Sequence, residues 1–267
     1  MPSLNAANVW LMRQAADMIE RKGGNLTRAA ELRQLASMLS PVVRERLYVK
    51  GKGFWRCEKP SGELVEVRHI IDFTTTSLAL GTDLSSTTAL EMVDFVQREL
   101  KTQYWLRALS LHDGAAPNSD RKDHGPYGSY DGWMGETLSA LATLGRYDLA
   151  LELVQAMAAV YDRGPGGQSH QVFTVGDSDT IDLPAKAAAD QQYFALSGAV
   201  IANAIITDLF GVDPGAGHNA TDSPDPSTIV KHPASPRGFE GTLKHIRLRG
   251  SLYTLQSNST GVHAISE

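Results

Sequence analysis

The chain has 267 residues, of which 42% are hydrophobic, so it can bury a sizeable core as one large domain or two smaller ones. Its formal net charge of -5 and its isoelectric point near 5.9 argue against the basic surface typical of nucleic-acid-binding proteins. The longest apolar runs stop well short of the roughly 20 residues that cross a bilayer. We therefore expect a soluble globular protein with neither nucleic acid nor membrane as a partner.

The single cysteine, Cys57, excludes an internal disulfide and fits a reducing compartment. Charged residues at helical spacing, Arg13, Asp17 and Glu20, interrupt the order of a signal peptide, so we expect a cytoplasmic protein. The histidines show no paired metal-ligand spacing, and no dinucleotide or phosphate-loop fingerprint follows a strand. The sequence therefore predicts no required metal and no cofactor.

Apolar residues at spacings of three and four predict a helix from about Ala6 to Lys22, which Gly23-Gly24 ends. The same periodicity from Leu32 to Val43 predicts a second helix with a kink at Pro41. We expect these two helices to form an antiparallel hairpin.

From Leu47 to His69, short alternating apolar runs around a Pro-Ser-Gly turn predict a small β excursion between helices. The next segment, Ile70 to Leu80, is rich in threonine and only weakly periodic. A clearer helix follows from about Ala89 to Leu100, with capping candidates at Asp83, Ser85 and Ser86. A second hairpin is therefore expected here.

Helical periodicity resumes from about Gly132 to Leu144 and from Tyr147 to Tyr161, which predicts a third hairpin. A longer helix is predicted from Pro184 to Leu209, where Gly211 ends it. Residues 1–211 would then form a helical domain.

Residues 212–237 are rich in Pro, Asp and Ser, a composition typical of a linker. The segment 238–267 reads as short strands, Thr242 to Leu248, Ser251 to Gln256 and Val262 to Ile265. We therefore expect a short β appendage after the linker.

Groups capable of acid-base chemistry concentrate between Ala116 and Glu136. This loop runs into a helix and combines four acids with a histidine and several aromatic side chains, a combination that suits a sugar site. Its acids are Asp120, Asp123, Asp131 and Glu136.

Paired helices, a polar and aromatic loop, a long late helix and a β tail together resemble the six-hairpin (α/α)-toroid glycosidases. The α-L-rhamnosidase-like and related bacterial members are the most similar. The resemblance extends over about Asn5 to Gly211 and is carried by Trp105 to Ser110, Ser119 to Trp133, Gly166 to His170, Asp190 to Tyr193, and Phe210-Gly211. It implies a mainly α fold, a partial (α/α)6-toroid, with carbohydrate as the substrate.

The chain departs from that family in one respect. A complete ring has twelve helices, whereas the periodic segments predict about seven. In the rhamnosidase-like members the segment that resembles the general acid lies in the earlier, missing part. The chain is therefore expected to be a fragment, a natural truncation, or a compact variant whose ring is completed by a homo-oligomer or a second chain.

Glycoside hydrolysis needs a carboxylic acid that protonates the leaving oxygen and a carboxylate that acts as base or nucleophile. Glu136 is the first candidate for the base because it lies opposite the apolar face of its helix. Asp120, Asp123 and Asp131 are candidates for the acid, although Asp131 also suits a helix cap and the other two suit a solvated loop.

Aromatic faces match the C–H side of a sugar ring, and amide, imidazole and guanidinium groups bind its hydroxyls. Each of these side chains also has an ordinary structural role. The candidate substrate-binding residues are His124, Tyr127, Tyr130, Trp133, Trp55, Trp105, Arg107, Gln168, His170 and Gln191.

The sequence thus favours a glycoside hydrolase that uses carboxylate acid-base catalysis. One alternative is a polysaccharide lyase in which Tyr127 or Tyr130 and His124 abstract a proton and neutralise a uronate. The other is a non-catalytic carbohydrate-binding or assembly subunit, because an incomplete ring exposes apolar helix faces.

Overall fold

A computed structural model describes most of the chain and shows a mainly α architecture with three small antiparallel sheets. This agrees with the fold class expected from the sequence. The described residues are 1–103, 105–118, 125–126, 128–130, 134–158, 172–175, 181–182, 195–213, 228–231, 237–248 and 250–267.

The first two helices, α1 (Pro2–Arg21) and α2 (Leu26–Leu47), form the predicted hairpin. Gly23 adopts a φ of 64° in the turn, a conformation that L side chains rarely take. The Asn25 side chain then caps α2 by accepting a hydrogen bond from the Arg28 N–H at 3.1 Å. Helix α2 continues through Pro41 to Leu47.

The predicted β excursion is a three-stranded antiparallel sheet made of β1 (Tyr48–Val49), β2 (Phe54–Glu58) and β3 (Leu64–Val67). Phe54 and Trp55 on β2 are buried. The ring of Phe54 meets that of Phe95 edge to face at 5.6 Å, which joins the sheet to the helical core.

Helix α3 (Ile70–Leu80) occupies the weakly periodic, threonine-rich segment. Its periodicity is weak because the helix is covered on nearly every side, so its polar residues are buried with its apolar ones. The buried polar residues of α3 are Asp72, Thr74, Thr76 and Ser77.

The second hairpin continues with α4 (Ser86–Phe95), which ends in a π-helical turn, Val96–Leu100. Ser85 caps α4, and its hydroxyl accepts a hydrogen bond from the Thr88 N–H at 3.1 Å. This confirms one of the three capping candidates.

The third hairpin consists of α5 (Met134–Thr143) and α6 (Tyr147–Ala158). The late helix α7 is described over Ala195–Ala204 and continues as a π-helical turn, Ile205–Leu209. The bounds of α5 and the end of the late helix agree with the sequence pattern.

Helices α1 and α3 run side by side in the same direction. In their first turns, the Asp72 carboxylate accepts a hydrogen bond from the Ser3 N–H at 3.1 Å. Further along, Arg13 pairs with Asp83, in the turn that follows α3, at 2.8 Å. From the first contact to the second, the residue numbers increase on both helices, so the helices are parallel.

Helix α5 lies parallel to α3 on the side away from α1. The hydroxyls of Thr74 and Thr137 hydrogen-bond at 2.9 Å near the start of both helices. At the other end, Gly81 lies against the methyl group of Thr143.

Helix α7 lies next to α5 and extends the row of parallel helices α1, α3 and α5. Gly135, at the start of α5, packs against the backbone of Val200, and the Ser139 hydroxyl donates a hydrogen bond to Asp208 at 2.6 Å. Helices α1, α3, α5 and α7 therefore start at the same end of the molecule, while α2 and α6 return in the opposite direction. This is the arrangement of a partial helical toroid.

A second sheet, which the sequence did not predict, contains β4 (Gly128–Tyr130), β5 (Val172–Val175) and β6 (Ile181–Asp182). Strand β4 lies in the acidic segment that precedes α5, and β5 lies in the segment that precedes α7. Their antiparallel pairing brings the backbones of these two segments together.

The C-terminal sheet contains β7 (Gly241–Leu248), β8 (Ser251–Asn258) and β9 (Gly261–Ser266), in agreement with the three predicted strands. It is linked to the helices through Phe239, whose carbonyl accepts from the Ser257 hydroxyl on β8 at 2.8 Å and whose ring meets that of Phe210 edge to face at 5.5 Å. Arg237 also lies over the ring of Tyr147 at 4.7 Å.

Two described pieces of the predicted linker belong to the core. Val212 bridges to Val230, and both are buried together with Ile229. The division into residues 1–211, 212–237 and 238–267 remains a prediction, because residues 214–227 and 232–236 lie outside the described part.

Candidate functional site

The segments that precede α3, α5 and α7 meet at the end where the parallel helices begin. The backbone N–H of Ile70 donates to the Ala108 carbonyl at 2.9 Å, and the N–H of Ser110 donates to the Arg68 carbonyl at 3.0 Å. These bonds join the segment before α3 to the segment before α5, and the β4–β5 pairing joins the latter to the segment before α7. Loops at one end of a rigid helical scaffold are a common position for a binding site.

Glu136 lines a groove of about 270 Å³ that is framed by α1, α3 and α5. Its carboxylate is exposed, in the first turn of α5. Across the groove, the indole of Trp10 on α1 is 44% exposed. The groove therefore combines a carboxylate with a large open aromatic face.

The floor of this Glu136 groove is one face of α3. Ile71, Thr74, Thr75 and Leu78 line it at spacings of three and four. The Thr74 hydroxyl is engaged with Thr137, but Thr75 is partly exposed and its hydroxyl makes no hydrogen bond within the described residues. Thr75 can thus offer a hydroxyl to a ligand.

Gly135 fixes the position of Glu136 relative to α7. A Cβ at Gly135 would lie 2.6 Å from the Val200 carbonyl oxygen, closer than real contacts allow. Only glycine permits this approach, so α5 is held tightly against α7 at the residue next to Glu136.

A larger concavity, about 820 Å³, lies between the β2–β3 hairpin and residues 109–118. Its apolar wall includes Val65 and Leu109, and its polar lining includes His112 and Asn118. Cys57 also lines it, and burial raises the pKa of this thiol, which keeps it protonated at neutral pH. Asn118 immediately precedes the acidic segment, so that segment starts at the edge of this concavity.

Hydrogen bonds hold the lining of the concavity rigidly. The Asp113 carboxylate accepts from the Arg68 N–H at 2.7 Å and from the Ala115 N–H at 2.8 Å. Glu99 accepts from the Ser110 hydroxyl at 2.7 Å and from the Arg68 guanidinium at 3.2 Å. Burial opposes the ionisation of Glu99, but these bonds, together with one from Arg98 at 3.2 Å, outweigh it and hold the pKa of the carboxyl below its usual value.

Three predicted substrate-binding residues are in the interior. Trp55 is 1% exposed, Trp105 3% and Arg107 3%. Neither indole offers a ring face to solvent in these positions, which does not favour the stacking role predicted for them. Arg107 donates to the Pro126 carbonyl at 2.7 Å and so anchors the acidic segment to the core.

Most of the remaining candidates lie outside the described part of the chain. Tyr130 contributes its backbone to β4, and its side chain is not described. The candidates outside the described residues are Asp120, Asp123, His124, Tyr127, Asp131, Trp133, Gln168, His170 and Gln191. Of the predicted catalytic residues, the structure therefore places Glu136.

Sequence reasoning missed Trp10. The apolar face of α1 contains Val9, Met12 and Ala16, and Trp10 falls on a different side of the helix. Its position outside the apolar face of an amphipathic helix is the sequence feature that could have indicated an exposed aromatic side chain.

The described residues contain no group of three or more His, Cys, Asp or Glu placed to hold a metal ion. No helix in the described part combines the length and hydropathy that crossing a bilayer requires.

No protein-family model matches the sequence, and no curated protein matches it either. Solved structures do match the fold. Neutral trehalase Nth1 from Saccharomyces cerevisiae superposes with a TM-score of 0.58 at 13% identity, over 76% of this chain and 37% of that chain. A sialidase superposes with a TM-score of 0.62 at 10% identity, over 99% of this chain and 25% of that chain.

These two solved structures are glycosidases, and at these identities the similarity concerns the fold alone. The chain spans 37% and 25% of the lengths of these two proteins.

Proposed function

We propose that this chain forms the carbohydrate-binding and catalytic part of a glycoside hydrolase. The observation that carries the proposal is the Glu136 groove, in which an exposed carboxylate shares a concave surface with the exposed indole of Trp10. A sugar ring stacked on Trp10 would present its hydroxyls to Thr75 and its reactive carbon to Glu136. The glycosidase-like fold supports the same class of reaction.

Glu136 serves as the base or nucleophile in this proposal. As a base, its carboxylate takes a proton from water while the water oxygen attacks the anomeric carbon. The second carboxyl group protonates the departing glycosidic oxygen. A separation of about 6.5 to 9.5 Å between the two groups gives inversion, and about 5 Å gives retention.

An aspartate between residues 120 and 131 supplies the acid. This segment links Asn118, at the edge of the concavity, to Met134, where α5 begins two residues before Glu136. Asp120, Asp123 and Asp131 all lie on that connection.

The test is turnover of a panel of aryl glycosides by the wild-type chain and by Glu136→Gln. The substitution removes the base but keeps the shape of the side chain, so turnover should fall by about 10²- to 10⁴-fold while sugar binding persists. Glu45→Gln, which changes an exposed glutamate on α2, is the matched control and should retain turnover. An unsaturated product would overturn hydrolysis in favour of the lyase alternative.

A non-catalytic binding or assembly subunit is the second candidate. It is favoured by an exposed apolar stripe on α1, made of Leu4, Leu11 and Met18 at seven-residue intervals. Sugar binding by the wild type without turnover of any aryl glycoside would support this candidate. Measurement of the mass in solution would show whether copies associate through the stripe.

A further inference from the structure

We infer that the Glu136 groove selects uncharged sugar rings and rejects rings that carry a carboxylate. The inference rests on the proposed function and names the substrate class of the same site. Glu136 is the single charged side chain among the described residues that line the groove.

The helices that frame the groove offer little positive charge to an anionic ligand. Helices α3 and α5 contain no lysine or arginine over Ile70–Leu80 and Met134–Thr143. On α1, the cation nearest in sequence to Trp10 is Arg13, which is paired with Asp83 at 2.8 Å. A carboxylate entering the groove would therefore meet Glu136 without a compensating described cation.

The remaining lining suits a neutral ring. Ile71, Leu78 and the Trp10 indole give an apolar surface, against which the C–H face of a sugar can pack. Thr75 adds a hydroxyl, which can donate to or accept from a sugar hydroxyl. Neutral hydroxymethyl or methyl groups fit such a surface without loss of solvation of a charge.

The expected discrimination follows from Coulomb repulsion between two carboxylates. At about 6 Å, with an effective dielectric constant between 80 and 20, repulsion weakens binding by roughly three- to hundredfold. Salt reduces this effect because the groove is open to solvent.

The experiment compares matched pairs of probes that differ at one carbon. Binding of p-nitrophenyl glucoside and glucuronide, and of the corresponding galactoside and galacturonide, is measured by calorimetry or by ligand-observed NMR. With the wild type, the neutral member of at least one pair should bind about tenfold more tightly than its carboxylate partner. Added salt should shrink this ratio.

Two variants assign the selectivity to this groove. Glu136→Gln should reduce the neutral-to-anionic ratio to within about threefold, and Glu45→Gln should leave the wild-type ratio. Trp10→Ala should weaken neutral binding by about tenfold, whereas Trp10→Phe, which keeps an aromatic face, should lose less.

Different results overturn different claims. Equal or tighter binding of the carboxylate sugars by the wild type overturns the charge selection and leaves the proposed hydrolysis standing. If Glu136→Gln leaves the neutral-to-anionic binding ratio unchanged, another group discriminates between the two sugars, and this result also overturns the inference. Failure of every probe to bind, with no turnover, overturns the proposed function itself.

Discussion

Helices α1 and α3 are parallel neighbours of very different character. Helix α1 buries one face and exposes the other, including Leu4, Leu11 and Met18. Helix α3 is buried on nearly every side, although it carries Asp72 and several threonines. Helix α1 contacts both ends of α3, through Ser3–Asp72 and Arg13–Asp83, so the difference arises from their place in the row and not from their orientation.

This difference explains which helix the sequence reveals. Apolar periodicity indicates a helix with one solvent-exposed face and one buried face, and α1 has both. Helix α3 exposes only part of the face that forms the groove floor, so most of its polar residues are buried inside the protein. The Asp72 carboxylate accepts from the Ser3 N–H, and the Thr74 hydroxyl bonds with Thr137.

The largest expected effect on stability comes from truncating a buried apolar side chain on α3. Truncating an exposed apolar side chain on α1 serves as the comparison. Phe73→Ala on α3 removes a ring that is 1% exposed and should lower the free energy of unfolding by about 3 to 5 kcal/mol. Leu11→Ala on α1 removes a side chain that is 54% exposed and should change it by about 0.5 kcal/mol or less. Urea denaturation measures both, and similar losses would contradict the contrast between the helices.

A smaller effect is expected from the buried hydroxyl pair between α3 and α5. Thr74→Val keeps the shape but leaves the Thr137 hydroxyl without this partner, which should cost about 1 to 3 kcal/mol. In the double variant Thr74→Val with Thr137→Val, no hydroxyl is left without its partner, so much of the lost free energy of unfolding should return. A double-mutant cycle measures the coupling, and strictly additive losses would show that the bond contributes nothing specific.

The smallest effect concerns the pH dependence due to Asp72. Burial raises its pKa above the ordinary value of 3.8, against the opposing hydrogen bonds from Ser3. The native state therefore holds the proton more tightly than the unfolded state. The resulting contribution to stability is complete below the unfolded pKa and is lost as the pH rises through the native pKa.

Asp72→Asn keeps an oxygen that can accept from Ser3 but does not titrate. The stability of the wild type relative to this variant should therefore fall as the pH rises above the ordinary Asp pKa of 3.8, as measured by urea denaturation. Asp148→Asn is a control of opposite sign, because the hydrogen bond from Arg146 lowers the pKa of Asp148. A wild-type advantage over Asp72→Asn that rises with pH would contradict the raised pKa.

The candidate site was only partly predictable from the sequence. The exposure of Glu136 followed from its position opposite the apolar face of α5, a local property of one helix. The burial of Trp55 and Trp105 and the exposure of Trp10 did not follow, because all three depend on which elements pack against each ring. An aromatic side chain has the same local pattern in a core and at a ligand surface.

The sequence by itself determined the elements whose signals are local. The α1–α2 hairpin, the strands of the first and third sheets and the mainly α class all follow from periodicity, turn residues and caps. Tertiary structure alone decided the extensive burial of α3, the pairing of β4 with β5 and the meeting of Trp10 with Glu136 in one groove. Those features require contacts between residues far apart in the chain, and local propensity carries no information about such contacts.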